Sequence, residues 1–215
     1  MTRVNLLNYS EVEKENLRKS LARRELNRII NKDIEQVNNG SVILLKIPAD
    51  EYLNSNIESV KFFLENGFEG VYFSFQRPFK NLSSFFEQQG VNMNKLFVID
   101  GATAFCRETG ENNPRCVQIS KNFKIEDMIK KVCSSLSKIE SKKRFVFVDS
   151  LTTMALYEPR SETMRFPEYL ISQARKKEFR DVIFVFNVAD NLTQKKYIQN
   201  IEVYANELIH LGLCT

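Results

Sequence analysis

The sequence has few of the residues that build metal or disulfide sites, with 1 His and 4 Cys among 215 residues. It also has no Trp. The cysteines stand at unrelated spacings without a Cys-x-x-Cys pair, and one histidine cannot form a His-rich metal site. Cys106 and Cys116 offer two ligands, which are too few for structural zinc. We therefore expect reduced, structural thiols and no metal site: Cys106, Cys116, Cys133 and Cys214.

Long apolar runs are also missing. Short apolar stretches such as Ser41–Leu45 and Phe145–Val148 fall far short of the roughly 20 residues that span a bilayer. Residues 1–10 do not have the apolar stretch and small-residue cleavage site of an export signal. These absences predict a cytoplasmic protein without a membrane partner.

The excess of basic over acidic residues is small. The chain has 31 basic and 27 acidic residues, which give a formal net charge of +4. So small and dispersed an excess does not favour nucleic acid as a partner. The apolar content of 43% excludes disordered and low-complexity chains, and the length suits one domain with an added terminal element.

Residues 10–38 contain neither Gly nor Pro, and their leucines and isoleucines recur at helical spacing among charged residues. Ser10 and Glu13 have the spacing of a capping box, which starts a helix. We expect one long helix or two shorter ones, with residues 1–38 as a helical extension and residues 39–215 as the main domain. Covering a sheet face or edge is the favoured role, ahead of dimerisation or DNA contact, since charged helix stripes are usually solvated.

Beyond Gly40, short β-rich segments alternate with helical ones. Several strands are apolar at every position, which is typical of parallel strands buried on both faces. The order predicts a three-layer α/β domain with a mostly parallel sheet and right-handed crossovers. We expect residues 101–122, which are polar and contain Gly101, Gly110 and Pro114, to form a long loop. The predicted strands are 41–47, 70–75, 96–99, 144–149, 182–187 and 207–211, and the predicted helices are 54–66, 80–89, 124–140, 162–177 and 194–204.

The segment after the first strand decides whether a phosphate could bind there, because ligands of parallel α/β sheets gather at the carboxyl ends of the strands. A phosphate loop needs glycines, a lysine for the phosphates and a Ser or Thr for magnesium. Here no glycine is present, and Asp50 and Glu51 would repel an anion at close range by about 1 to 4 kcal/mol per unit charge. A conventional phosphate loop is absent from the segment Lys46-Ile47-Pro48-Ala49-Asp50-Glu51-Tyr52-Leu53-Asn54-Ser55.

The order of the segments nevertheless resembles the RecA/KaiC-like ATPases common in archaea, over about residues 38 to 213. The resemblance implies a three-layer RecA-like sandwich of the P-loop NTPase type. It rests on Gly40-Ser41-Val42-Ile43-Leu44-Leu45, Gly70-Val71-Tyr72-Phe73-Ser74-Phe75, Leu96-Phe97-Val98-Ile99-Asp100, Phe145-Val146-Phe147-Val148-Asp149-Ser150-Leu151-Thr152 and Tyr204-Ala205-Asn206-Glu207-Leu208-Ile209-His210-Leu211-Gly212.

Within this resemblance, Asp149 matches the Walker B acid and Ser150 follows it. The phosphate-loop positions are degenerate: Leu53 falls near the lysine, Asn54 near the magnesium-binding hydroxyl, and Pro48 and Asp50 in the loop itself. The family's pair of water-activating glutamates is replaced by Gln76-Arg77. The resemblance therefore implies a catalytically inactive member with no cofactor.

Other polar residues at strand ends have two interpretations each. Asp149 with Ser150 is either a remnant magnesium site or a helix cap and turn, and Asp100 has the same two interpretations. Arg77 could contact an anion, or pair with Asp50 or Glu51 beside the former cleft. The lone His210 is expected to be a core or edge residue.

These observations favour a regulatory or scaffolding protein that binds another protein, such as a related active ATPase or a second copy of itself. The expected surface is the sheet edge or the N-terminal helix. One alternative is an atypical ATPase that uses ATP and magnesium at Asp149. The other is a DNA-binding recombination accessory protein, which the charge balance does not favour.

Overall fold

The computed structural model describes thirteen helices and strands of the main domain, together with scattered positions of the N-terminal segment. The strands are β1 (Val42–Ile47), β2 (Glu69–Ser74), β3 (Leu96–Asp100), β4 (Cys116–Gln118), β5 (Arg144–Asp149), β6 (Val182–Ala189) and β7 (Glu207–His210). The helices are α1 (Tyr52–Glu65), α2 (Phe79–Gln88), α3 (Ile125–Leu136), α4 (Leu151–Tyr157), α5 (Arg160–Ala174) and α6 (Lys196–Tyr204). The residues described are 10, 12–14, 16–17, 20, 23–24, 26–28, 40–48, 52–104, 112–120, 124–157, 160–176, 179, 181–189 and 196–211.

All seven strands form one parallel sheet in the order β4-β3-β2-β5-β6-β1-β7. Helices cover both faces, so the predicted three-layer α/β architecture is confirmed. Because every strand runs the same way, all carboxyl ends lie at one edge of the sheet, where α1 and α4 begin. Among the described helices, none is long and apolar enough to cross a membrane.

Two apolar cores hold the layers together, one on each face of the sheet. Strands β1, β3 and β6 are buried at every position, so alternate side chains enter opposite cores. One core joins the sheet to α3, α4, α5 and α6, and the other joins it to α1 and α2. Since burying one Val, Leu, Ile or Phe side chain contributes about 1.5–3 kcal/mol, these two cores are the main source of stability.

The described part of the N-terminal segment packs on the main domain. Leu26 is fully buried in the core beneath α1. Arg23 bonds to Glu58 at 3.0 Å and to Glu65 at 2.9 Å, both on α1. The Ser10 and Glu13 capping box is confirmed, because each residue's backbone N–H donates to the other's side chain. The part of the predicted helix over residues 29–38 lies outside the described residues.

Two elements differ from the predicted order. Strand β4 extends the sheet beyond β3 from within the predicted loop, and a strand of three half-buried residues has no apolar alternation to reveal it. Helix α4 follows β5 directly, and at seven residues it is too short to show helical periodicity. Residues 105–111 of the predicted loop lie outside the described residues.

Gly40 allows the chain to enter β1 beside the end of α5. Its φ is +56°, and a Cβ added there would lie 2.0 Å from the carbonyl oxygen of Ala174.

We expect Gly40→Ala to lower the free energy of unfolding by about 3 kcal/mol or more, measured by urea denaturation, because backbone strain and a backbone clash add. Gly67 is a matched control: its φ is +82° with open space around it, so Gly67→Ala should cost only about 1–2 kcal/mol. Equal losses would contradict the packing argument.

Candidate functional site

Polar side chains meet at the carboxyl ends of β2, β5 and β6, beneath the start of α1. The alternation of each strand turns Tyr72, Asp149 and Asn187 toward the face that α1 covers, and the first turns of α1 add Tyr52 and Asn56. These five residues are called the polar cluster below. All five are buried in a face that is otherwise apolar, and Asp149 is 2% exposed. The sheet therefore places one carboxyl group among phenols and amides with little contact with solvent.

Two hydrogen bonds connect the polar cluster. The Tyr72 hydroxyl donates to Asp149 Oδ2, and the Asn187 amide donates to Asn56 Oδ1. The Tyr72 ring is fixed by stacking on Phe147, with ring centroids 5.4 Å apart. The first bond joins β2 to β5, and the second joins α1 to β6.

The polar cluster also contains most of the unmet hydrogen-bonding capacity found among the described residues. Buried polar atoms in folded proteins nearly always have a partner, and leaving one without costs about 1–3 kcal/mol. Four such atoms lie together here, two of them acceptors and two of them on α1. They are Tyr52 Oη, Asn56 Nδ2, Asp149 Oδ1 and Asn187 Oδ1, which have no hydrogen-bond partner within the described part of the chain.

Burial shifts the protonation equilibrium of the carboxyl group in the polar cluster toward its neutral form. Burial raises the pKa of Asp149 from its ordinary 3.8 to about 6, although the Tyr72 hydroxyl, the Asn56 amide and the charge of Arg77 oppose the shift. Burial and the nearby Asp149 charge raise the pKa of both Tyr52 and Tyr72 well above 10. Both phenols therefore remain protonated hydrogen-bond donors at neutral pH.

The structure shows which contacts the polar residues at the strand ends make. The Ser150 hydroxyl accepts from the Thr153 N–H at 3.1 Å and caps α4, as the structural interpretation predicts. Asp100 accepts from the Phe79 N–H at 2.8 Å and from the Thr103 N–H at 2.9 Å, so it ties the start of α2 to the end of β3. The Asp149 side chain instead accepts from Tyr72 within the polar cluster.

Among the residues that the resemblance aligns with a phosphate loop, Pro48, Leu53 and Asn54 do not belong to the polar cluster. Pro48 is half-buried after β1, Leu53 is half-buried on α1, and Asn54 is exposed. Asp50 and Glu51 lie outside the described residues, so their pairing with Arg77 stays a prediction.

Arg77 is held beside the polar cluster by its backbone. The Ser74 hydroxyl donates to the Arg77 carbonyl at 2.8 Å and accepts from the Arg77 N–H at 3.2 Å. The exposed guanidinium lies over the Phe85 ring, 5.7 Å from its centroid. His210 is exposed on β7, as expected for an edge residue.

Sequence reasoning found Asp149 but missed its four neighbours. The sequence analysis gave Tyr52, Asn56, Tyr72 and Asn187 no role of their own. One signal was present: Asn187 interrupts a strand that is otherwise apolar from Val182 to Ala189, and a lone amide in a doubly buried strand needs a polar partner.

The polar cluster does not fit a magnesium-bound nucleotide. Asp149 Oδ2 is bound to Tyr72, and Tyr52 and Asn56 of α1 pack around the carboxyl group. Leu53 and Asn54 supply neither the cation nor the hydroxyl that phosphates and magnesium require. Across the described ranges, no group of three or more His, Cys, Asp or Glu residues could hold a metal ion.

Comparison with solved structures shows the fold. The chain is similar to the uncharacterized protein PH0321 from Pyrococcus horikoshii, crystallised with an unknown peptide, at a TM-score of 0.62 and 16% identity, covering 87% of this chain and 82% of that one. It is also similar to the KaiC-like protein PH0186 from Pyrococcus horikoshii OT3, at a TM-score of 0.54 and 15% identity over 80% and 71% of the two chains. The predicted three-layer RecA-like sandwich is therefore confirmed.

A third similar structure, that of PH0250 from the same organism, has a TM-score of 0.57 and 10% identity over 88% of this chain and 87% of that one. No protein-family profile matches the sequence, and no curated protein matches it. At identities this low the likeness concerns the fold, and any activity must be argued from the residues of this chain.

The raised pKa of Asp149 gives a pH dependence of stability with a definite sign. Because the folded state binds this proton more tightly, its stabilisation is complete below about pH 3.8 and is lost as the pH rises through about 6. Asp149→Asn cannot ionise, so we expect it to exceed the wild type in free energy of unfolding by about 2–3 kcal/mol at pH 8 and by little near pH 4. Urea denaturation across this range measures the difference.

Asp181→Asn is the matched control, because Asp181 is exposed and pairs with Arg144 at the opposite end of β5. It should not reproduce the gain at pH 8. If Asp149→Asn is less stable than the wild type at pH 8, the carboxylate is compensated in the folded state and the argument fails.

Proposed function

We propose that this chain is a RecA-like domain that does not hydrolyse ATP and acts as a regulatory or scaffolding protein by binding another protein. The absence of ATP hydrolysis is inferred from the enclosure of Asp149 by Tyr52, Asn56 and Tyr72. Phosphoryl transfer depends on positioning and charge neutralisation. The described residues around Asp149 provide neither a lysine nor a second carboxylate for those tasks, and Gln76-Arg77 stand where a pair of acids would activate water.

A thermal-shift titration with ATP and magnesium tests this part of the proposal, because it measures whether the chain binds the nucleotide. A ligand that binds the folded state stabilises it by about 2.7 kcal/mol at a hundredfold excess over its Kd, which moves the melting temperature by several degrees. We expect no shift at millimolar nucleotide. A rise with the logarithm of ATP concentration, lost in Asp149→Asn, would contradict the proposal and support the atypical ATPase. A rise retained in that variant would place a nucleotide elsewhere on the chain.

The proposed binding of another protein concerns the edge of the sheet at β7. Val203 is 81% exposed, and Tyr204 and Leu208 are each 41% exposed, so three large apolar side chains are exposed at the end of α6 and on β7. Within the described residues β7 is the last strand, and its outer backbone groups face no other strand. We call this surface the β7 edge. Exposed sheet edges bind extended peptides through backbone hydrogen bonds.

The N-terminal helix is the less favoured surface. Leu26 is fully buried in the core, and Arg23 is engaged with α1. These contacts bind the helix to its own domain, whereas Val203 and Leu208 have no comparable cover among the described residues. The similar protein PH0321, crystallised with an unknown peptide, also supports an extended segment of a partner protein as the occupant.

Peptide selection tests the β7 edge with a random peptide library displayed on phage as the probe. We expect the wild type to enrich binders whose affinity falls at least tenfold in Val203→Glu and in Leu208→Glu, because each places a charge where apolar contact is needed. Leu156→Glu is the matched control, since Leu156 is 69% exposed on α4, and it should bind like the wild type. Binders that tolerate both edge variants, or no enrichment, would contradict the proposal.

Sedimentation of the same variants separates the two kinds of protein partner. If the wild type self-associates and both edge variants are monomeric, the partner is a second copy of the chain. If all variants sediment as monomers while peptide binding depends on the edge, the partner is a different protein.

A further inference from the structure

The amino ends of β2, β3, β4 and β5 carry an excess of positive charge. In this parallel sheet they lie at one edge, opposite the edge that holds the polar cluster. Four cations lie within two residues of the start of β3, β4 or β5, and a fifth lies over a ring of β3. None of the five forms an ion pair with a described carboxylate, and we call this surface the basic edge: Lys95, Arg115, Lys138, Lys142 and Lys143.

Two cations of the basic edge share one aromatic ring. The Arg115 guanidinium carbon lies 4.8 Å from the centroid of the Phe97 ring, and the Lys138 ammonium nitrogen lies 5.9 Å from it. The ring attracts both cations through its quadrupole, but it carries no net charge. Both side chains are therefore held in place while their positive charges stay uncompensated within the described part of the chain.

The backbone fixes the positions of these two cations. The Arg115 carbonyl accepts from the Val98 N–H at 2.8 Å, and the Arg115 N–H donates to Asn113 Oδ1 at 2.8 Å. The Lys138 N–H donates to the Ser135 carbonyl at 3.2 Å, and the next residue, Ile139, is buried in the core. A ligand that binds here does not have to order the backbone first, which lowers the entropic cost of binding.

A helix end accounts for only one of these charges. Lys138 follows the end of α3, where a cation offsets the partial negative charge of the helix. Arg115 precedes β4 instead. Lys143 precedes β5, where it donates to the Asn66 carbonyl at 3.3 Å and lies 5.5 Å from the centroid of the Phe68 ring. Because strands have only small dipoles, the positive charge at their amino ends is available to an anionic partner.

We propose that the basic edge binds an acidic segment of a partner protein, whose carboxylates pair with Arg115 and Lys138 and continue toward Lys142 and Lys143. Opposite charges give the two surfaces electrostatic complementarity. The basic edge is separate from the β7 edge, because β4 and β7 are the two outermost strands of the sheet order. The inference therefore does not depend on the function proposed for β7.

Nucleic acid fits the basic edge less well than an acidic protein segment. Phe68 and Phe97 are 5% and 8% exposed beneath their cations, so neither ring can stack on a base. Glu140 is exposed between Lys138 and Lys142 and would repel a continuous phosphate backbone. A segment with a few carboxylates can place them beside the cations and avoid Glu140.

Fluorescence anisotropy of a labelled deca-glutamate peptide tests the basic edge on the intact chain. We expect binding that weakens as the salt concentration rises. Because exposed charge pairs contribute modestly, Arg115→Gln and Lys138→Gln should each raise the Kd about two- to fivefold, and the double variant about tenfold. Lys142→Gln combined with Lys143→Gln should also raise the Kd, and this variant leaves the packing on Phe97 intact.

Lys130→Gln is the matched control. It removes the same charge from α3, but the Lys130 side chain is 79% exposed and pairs with Asp127 at 3.7 Å, so this variant should bind like the wild type. Val203→Glu should also bind deca-glutamate like the wild type, because it alters the β7 edge alone. Failure of one surface is thus distinguishable from failure of the other.

Four outcomes would overturn the proposal. They are no binding of deca-glutamate, an equal loss of affinity in Lys130→Gln and Arg115→Gln, unchanged affinity in the double variant of Arg115 and Lys138, and tighter binding of a labelled deca-thymidine oligonucleotide that depends on the same residues. The last outcome would assign the basic edge to nucleic acid.

Discussion

The constraint on which the structure depends is the burial of the central strands on both faces. Strands β1, β3 and β6 present apolar side chains to two cores at once, so helices must cover both sides of the sheet. Polar side chains are then confined to the strand ends, where loops and helix starts can satisfy them. The residues of the polar cluster also lie at the strand ends, but α1 encloses them.

The strands could be predicted well because continuous apolar runs have few alternatives in a chain of this composition. Strand β5 was predicted with its observed bounds, and β1 within one residue. Strand β4 and helix α4 could not be predicted, since three and seven residues are too few to establish a period. Asp149, the last residue of β5, was found from its match to the Walker B acid. Its enclosure was not, because phenols and amides that gather from α1, β2 and β6 look like core and helix residues until the fold joins them.

The same edge of the sheet can thus carry different chemistry on one scaffold. Three archaeal structures share the architecture at 10–16% identity, which leaves the residues at the strand ends free to differ. In this chain Tyr72 and Asn187 turn inward to Asp149 and Asn56, so internal hydrogen bonds connect β2 with β5 and α1 with β6. The proposed function follows from that internal use of groups that a ligand would otherwise need.

The position of β1 in the sheet also determines when it can be built. Strand β1 is the first of the described strands in chain order, yet it pairs with β6 and β7, whereas β2 pairs with β3 and β5. During synthesis, β2, β3 and β5 can assemble from residues 69–149, but Val42–Ile47 must wait for Val182–Ala189 to leave the ribosome. An apolar strand without its neighbours is open to wrong pairing for most of the time that translation takes. Of the described strands, β1 therefore stays exposed the longest during synthesis, and β6 and β7 complete its protection.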